Sequence, residues 1–456
     1  MTTSRTAALI LATLAAAAGT ALAQQPTSAD TAGPLQAQLA NVRRVTLREA
    51  LEDGRQNAPA MVQAQQNVRV SDMGRMQAWA AYLPSLSGSG SASKSSSQRL
   101  TSTGTVSTAP TDQSSFNLTA SLPIFTGFQR GANSRLAAAN ADMNQAALIA
   151  QQYATDLATK QAFFTELADE ELVNVAVTQV RRSQEQLKLT SEKLRLGATT
   201  RADSLQAQVD YGTQQLALIQ AQANALTARA NLARAIGFVG SVAAVPDTML
   251  EIRITSLDTA ALRREALANA PSVVEAQAGV AAARASLSAS RASIMPNLSA
   301  SARESWAGQV LFPWSSTPAS QTTSKYQNSW SLSLSLSYPI FNNFQREAGI
   351  VQADATLASN DAKLRDARLA LDANLTQALA ALDAAGEQID VSRTQVAAAQ
   401  ENLRMQRERY RLGASTIVDM LTAEVSTNQA EVGLVQARYN YLIARAQLEA
   451  YVGHSL

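Results

Sequence analysis

One 17-residue pattern occurs twice, 216 residues apart: EKLRLGATTRADSLQAQ at Glu192–Gln208 and ERYRLGASTIVDMLTAE at Glu408–Glu424. The same offset relates LPIFTGFQR (Leu122–Arg130) to YPIFNNFQR (Tyr338–Arg346), and Gly237 to Gly453. Earlier in each half the offset is 212, pairing Ala58-Pro59 with Ala270-Pro271 and LPSLS (Leu83–Ser87) with MPNLS (Met295–Ser299). The four extra residues of the second copy therefore fall between Pro296 and Pro339, as expected of an exposed loop. Self-similarity over this span commits the chain to one structural plan used twice, about 45–237 and 238–453.

Each copy predicts the same order of elements. A first helix (60–83 or 272–295) leads into a Ser/Gly/Ala-rich alternating stretch, a polar loop and a second alternating stretch. A very long helix follows (128–195 or 344–411), then a tight Leu-Gly-Ala turn and a returning helix (200–236 or 416–452). No proline interrupts the chain between Pro123 and Pro246 or after Pro339, and Ala, Gln, Leu and Arg dominate there. A helix of 68 residues is a rod of roughly 100 Å, which implies coiled-coil-like packing. The first and returning helices together nearly match the long one, so they are expected to lie end to end beside it. The remainder, 45–59 and 238–271, is expected to form a belt at their junction.

The alternating stretches predict strands at about 85–97, 115–125, 297–308 and 329–340. The clearest is Trp330, Leu332, Leu334, Leu336, Tyr338 and Ile340, with serines and one proline between. Aromatics cluster at both ends: Trp306, Phe312, Trp314, Tyr326 and Trp330 towards the loop, and Phe125, Phe128, Tyr338, Phe341 and Phe344 towards the helix. Paired girdles flanking an apolar face fit a lipid-facing barrel, with Trp330, Leu332, Leu334, Leu336, Tyr338 and Phe341 at the lipid. A soluble half-buried hairpin is the other reading, and it needs a covering layer that the sequence does not supply. Four strands cannot close alone, and open edges are forbidden in lipid. The chain is therefore expected to oligomerise; two copies would give eight strands and three would give twelve.

The N-terminus supports export. Arg5, the apolar run Ala7–Ala18 and Ala21-Leu22-Ala23 form a secretory signal over residues 1–23, with a linker over 24–44. The competing reading is a first buried helix, which the polar Gln-Pro-Thr-Ser stretch disfavours. The 456 residues carry 16% charged side chains and a net charge of +2, giving no basis for nucleic-acid binding. There is no cysteine and one histidine, His454, so disulfides, cysteine metal sites and a lipid-modified cysteine are excluded. No catalytic residue, nucleotide loop, cofactor or metal site is expected, and the chain is read as not an enzyme.

Taken together, the duplicated RLGA turns, the PIF-x-x-FQR junctions and the start VTLREALEDGRQNAP resemble the TolC-type outer-membrane efflux and secretion channels, from about Val45 to Gly453. The resemblance implies a mainly α fold with a membrane β-barrel part. It implies a homotrimer sharing a twelve-stranded β-barrel and a twelve-helix α-barrel through the periplasm of a Gram-negative bacterium. It also implies a periplasmic adaptor at the helical tip and, through it, an inner-membrane RND or ABC transporter. The exported material would be small toxic compounds or proteins, as in multidrug efflux or type I secretion. The lipid-anchored branch and the long C-terminal extension of some members are not expected here.

The tip residues are Arg195, Leu196, Gly197 and Ala198, with Arg411, Leu412, Gly413 and Ala414. A helix stop explains them: glycine suits the left-handed end position and arginine the negative end of the helix dipole. Adaptor docking is compatible with that. Asp203 and Asp419 each close an S/T-x-x-D capping box. In a trimer they would also ring a closed entrance, a role the resemblance supports for Asp419, although a second acid of some members is Thr422 here. Tyr410 is expected to bond Asp203 and hold that entrance shut. The rival readings are a periplasmic coiled-coil adaptor, which the duplication disfavours, and a cell-wall hydrolase, which lacks a clear acid pair or metal site.

Overall fold

The computed structural model describes residues 42–100, 104, 106–246, 258–308 and 327–454. The chain divides into Met1–Arg43 and Arg44–Leu456, and the account below concerns the second unit. The expected export signal, all but the end of the linker, and Phe312, Trp314 and Tyr326 lie outside the described residues.

The elements run β1 (Arg43–Val45), α1 (Leu47–Asn57), α2 (Pro59–Ala80), β2 (Ser85–Leu100), β3 (Val106–Phe125), α3 (Gln129–Arg195) and α4 (Arg201–Ala235). They continue with β4 (Val242–Ala244), α5 (Thr259–Asn269), α6 (Pro271–Ala292), β5 (Asn297–Gly308), β6 (Gln327–Ser337), α7 (Gln345–Arg411) and α8 (Ile417–Val452). Both α3 and α7 have 67 residues. Each starts after a phenylalanine in the left-handed region, Phe128 (φ 65°) and Phe344 (φ 60°). A conformation that costs roughly 1–2 kcal/mol outside glycine turns the chain sharply from strand to helix. Edge-to-face pairs brace both corners, Phe125 with Phe128 and Phe341 with Phe344, each at 5.6 Å between ring centres.

Towards the sheet, the helices pack in the order α2, α3, α6, α7; towards the tips the order is α4, α3, α8, α7. Two glycines make the junctions between the shorter helices. A Cβ on Gly237 (φ +70°) would come 2.3 Å from the Asn57 carbonyl oxygen, so the end of α4 abuts the α1–α2 turn. A Cβ on Gly453 (φ +86°) would come 3.2 Å from Pro271 Cδ, so the end of α8 abuts the start of α6. The shorter helices thus run end to end beside α3 and α7.

The main core lies at this level. Phe163 and Phe164 of α3, Leu232 of α4 and its capping residue Ile236, Ile389 of α7 and Tyr441 of α8 pack with Val45 and Val242 of the small β1–β4 sheet. Glu166, 1% exposed, ties β4 to α3 by accepting the Ala244 N–H at 3.1 Å. Arg229 bridges Glu166 (3.4 Å) and Glu170 (2.6 Å). Burial pushes the Glu166 carboxyl above its ordinary range, opposed by these partners. A second cluster joins Ala266 of α5 and Ala270, between α5 and α6, to Leu371 and Leu375 of α7 and to Leu448 and Val452 of α8.

The larger sheet is antiparallel, in the order β2-β3-β5-β6. Among the described residues it is open: β2 and β6 are edges, and the four strands form no closed barrel. The strands depart from the sequence expectation at four ends. β2 and β3 run on to Leu100 and back from Val106, beyond the expected 85–97 and 115–125, because cross-strand pairing continues through the serines. β6 begins at Gln327 but stops at Ser337, short of the expected 340. Pro339 has no N–H for a ladder, and the partner strand runs into Pro296 at the same end. Tyr338, Ile340 and Phe341 therefore lie past the ladder. In β3 the equivalent Pro123 is absorbed by an irregularity between Pro123 and Phe125.

Candidate functional site: an uncovered sheet face and a double helical tip

The register places the apolar residues of three strands in rows. Leu118, Glu304 and Trp330 form one row; Ala120, Ala302 and Leu332 the next; then Leu122, Ala300 and Leu334; then Phe125, Leu298 and Leu336. Phe116 and Trp306 stack beyond them towards the loops, 5.6 Å apart. The opposite face carries Thr119, Arg303 and Ser331, and Ser121, Ser301 and Ser333, with the Ser301 and Ser333 hydroxyls 2.7 Å apart. Exposure of this face is high on β6, with Trp330 80%, Leu332 73%, Leu334 66% and Leu336 72%, and intermediate at Leu118, Leu122 and Leu298. Tyr338 and Phe341 are also exposed. Leaving four large apolar groups in water would forfeit roughly 1.5–3 kcal/mol each, so this surface calls for a hydrophobic medium. Glu304 breaks the apolar face at the Trp330 row and accepts from Asn328 at 3.2 Å. The sequence reading did not single it out, although its even number places it on that face.

At the far end, the same capping geometry closes both long helices. Gly197 and Gly413 both have φ 74°. Ala198 N–H donates to Lys193 O (2.8 Å) and Gly197 N–H to Leu194 O (3.0 Å). In the second tip Ala414 donates to Arg409 O (2.8 Å) and Gly413 to Tyr410 O (3.2 Å). These paired bonds are the Schellman stop. They project Leu196 (74% exposed) and Leu412 (72%) outwards. The flanking residues Arg195, Ala198, Arg411 and Ala414 complete the two turns, and Arg411 donates to Glu408 at 3.0 Å. The two tips are neighbours: Ala207 packs with Ile417, Met420 and Leu421, and Leu187 and Tyr410 pack against them.

Asp203 accepts from the Thr199 hydroxyl (2.7 Å) and the Thr200 N–H (3.2 Å). Asp419 accepts from the Thr416 hydroxyl (2.7 Å) and N–H (3.0 Å). The Thr199 and Thr200 hydroxyls, with the Thr200 N–H, hold Asp203 below the usual carboxylate range; Thr416 does the same for Asp419. Both are carboxylates at neutral pH. The expected Tyr410–Asp203 bond is not made within the chain. The capping box turns Asp203 towards its own helix start, while the Tyr410 hydroxyl is buried without a hydrogen-bond partner. The Tyr410 ring instead receives the Lys193 ammonium at 4.2 Å from its centre.

A buried acid above the tip escaped the sequence reading. Glu424 is 3% exposed, with Arg407 3.6 Å away. Burial pushes its carboxyl up, and Arg407 partly offsets this. Its signal was visible in the duplication, since the first copy has Gln208 at the matching place.

An uncovered apolar sheet at one end of a long helical array, and a capped double tip at the other, define an outer-membrane channel protein that extends into the periplasm. No helix among the described residues is long and apolar enough to cross a membrane, so the sheet is the part suited to lipid. The outer membrane efflux protein family model matches residues 50–238 and 262–454. The chain belongs to this family of efflux and secretion channels. It is similar to Protein CyaE of Bordetella pertussis, with 28% identity over 415 residues, 89% of this chain and 81% of that one. Outer membrane efflux protein BepC of Brucella suis is 22% identical over 404 residues, 88% and 83% of the two chains. The Campylobacter jejuni CmeC outer membrane channel shares the fold, with a TM-score of 0.73 at 15% identity, covering 89% of this chain and 85% of that one.

Proposed function

We propose that three copies of this chain form one exit duct, with a shared twelve-stranded barrel in the outer membrane and a twelve-helix tunnel below it. The observation that carries this is the pair of unsatisfied edges. β2 with α2 and α4 bounds one side of the chain, and β6 with α7 the other. Such different edges meet head to tail and close into a ring by rotation. Unpaired strand groups cannot stay open in lipid. Three copies of four strands make twelve, within the range of known barrels. Native mass measurement of the detergent-solubilised protein should give three chains; a stable single chain would overturn the reading.

The duct is passive, and its tips, Arg195–Ala198 and Arg411–Ala414, dock a periplasmic adaptor coupled to an inner-membrane transporter. The exposed Leu196 and Leu412 support this role. The cargo is a small toxic compound or a secreted protein, selected by the transporter. Threefold copies of Asp203 and Asp419 ring the entrance, where their ionised state favours cations. Asp419→Ala then raises conductance in planar bilayers and weakens block by multivalent cations. Unaltered block would remove the ring.

A further inference from the structure

The two FQR junctions differ in how they treat their arginine. In the first, Arg130 Nη2 donates to Ile124 O at 2.7 Å, and the guanidinium lies 5.0 Å from the centre of the Tyr82 ring. In the second, Ile294 stands where the duplication has Tyr82. Arg346 Nε and Nη1 are buried with no hydrogen-bond partner. Buried guanidinium N–H groups without acceptors are costly, and native structures ordinarily satisfy them. Arg346 borders a cavity of about 480 Å³ between the starts of α3 and α7, over the end of α6. The lining includes the polar side chains Gln129, Asn133, Ser286 and Gln345, and none of the lining residues is acidic. A site with cationic and neutral polar groups but no carboxylate selects an anion. The guanidinium fork matches a phosphate oxygen pair, and the space exceeds what a small carboxylate needs.

We propose that this cavity binds a phosphate group through Arg346, as a phospholipid headgroup or as free phosphate. The cavity adjoins Asn342, between the exposed Phe341 and Phe344. On the membrane reading above, that is the level where headgroups meet the protein. The choice of source rests on that reading; the anion site itself does not.

Two substitutions separate the site from the fold. Arg346→Gln removes the cation. Gly349→Glu places a carboxylate one turn further along the same helix face, and a side chain there meets nothing within 4 Å. It would pair with Arg346 and exclude the ligand while leaving the cation in place. The experiment is native mass spectrometry of the delipidated full chain with added phosphatidylglycerol, and separately with inorganic phosphate. Retention of phosphatidylglycerol, weakened about tenfold or more in both variants, supports the site with a lipid source. The same pattern with inorganic phosphate alone supports it with a free anion. Equal binding of both probes by wild type and variants, or binding by none, overturns the proposal. The same spectra report chain number, so a monomer that still binds phosphate would refute the trimer and leave the site standing.

Discussion

The two returning helices share a plan but have different surroundings. α8 buries fifteen residues, α4 only five. α8 lies between α3 and α7, whereas α4 packs on α3 and leaves its other flank open. Leu205, Val209, Leu216 and Ile219 of α4 are consequently more than half exposed. Gln208 is exposed while its counterpart Glu424 is buried. The difference teaches that burial in this fold follows position in the layer more than local sequence. One copy's helix is interior, and its twin is an edge awaiting a neighbour.

The largest difference between the two copies is expected at the junction glycines. Gly237→Ala sets a Cβ against a backbone oxygen at 2.3 Å and also imposes positive φ on alanine. Gly453→Ala also takes a positive φ (+86°), but its nearest neighbour is a proline side chain at 3.2 Å, with the backbone no nearer than 3.8 Å. The first should lose about 3–4 kcal/mol and the second about 1–2 kcal/mol, from strain and overpacking together. Thermal unfolding of both variants in detergent measures this. Equal losses would mean that the two junctions are not built differently.

A smaller effect is expected from Glu424→Gln, which gives α8 the residue of α4. Burial raises the Glu424 carboxyl above its ordinary 4.5 in the folded state. The folded protein therefore holds this proton more tightly than the unfolded chain does. That contribution is fully present below pH 4.5 and is lost as pH rises through the folded-state value. The variant should remove this part of the pH dependence and stabilise the protein at neutral pH, because it relieves the cost of ionising a carboxyl at a buried position. A wild-type-like pH profile in the variant would show that Arg407 fully compensates the charge.

Much of this architecture was legible in the chain. The proline-free runs marked α3 and α7, and Leu-Gly-Ala marked their ends, because helix propensity and glycine stops are local properties. Strand alternation was legible for the same reason. The end of β6 was misjudged because alternation continues past Pro339 although hydrogen bonding does not. Within one chain Asp203 is held by both threonines of the first tip, Thr199 and Thr200, which compete with Tyr410 for that carboxylate. Glu424 and Arg346 were passed over because their burial depends on neighbouring helices that no local pattern reveals. The duplication nevertheless held a usable signal for both, in Gln208 and Tyr82.

On the proposed trimer the even residues of β6 face lipid and the odd residues line a water-filled barrel. The chain has no cysteine, so single cysteines can be placed at each position from 329 to 337 in the assembled protein in outer membranes. A membrane-impermeant maleimide should label Ser329, Ser331, Ser333 and Ser335 positions and spare those of Leu332, Leu334 and Leu336. Uniform labelling, or labelling of the leucine positions instead, would contradict the account.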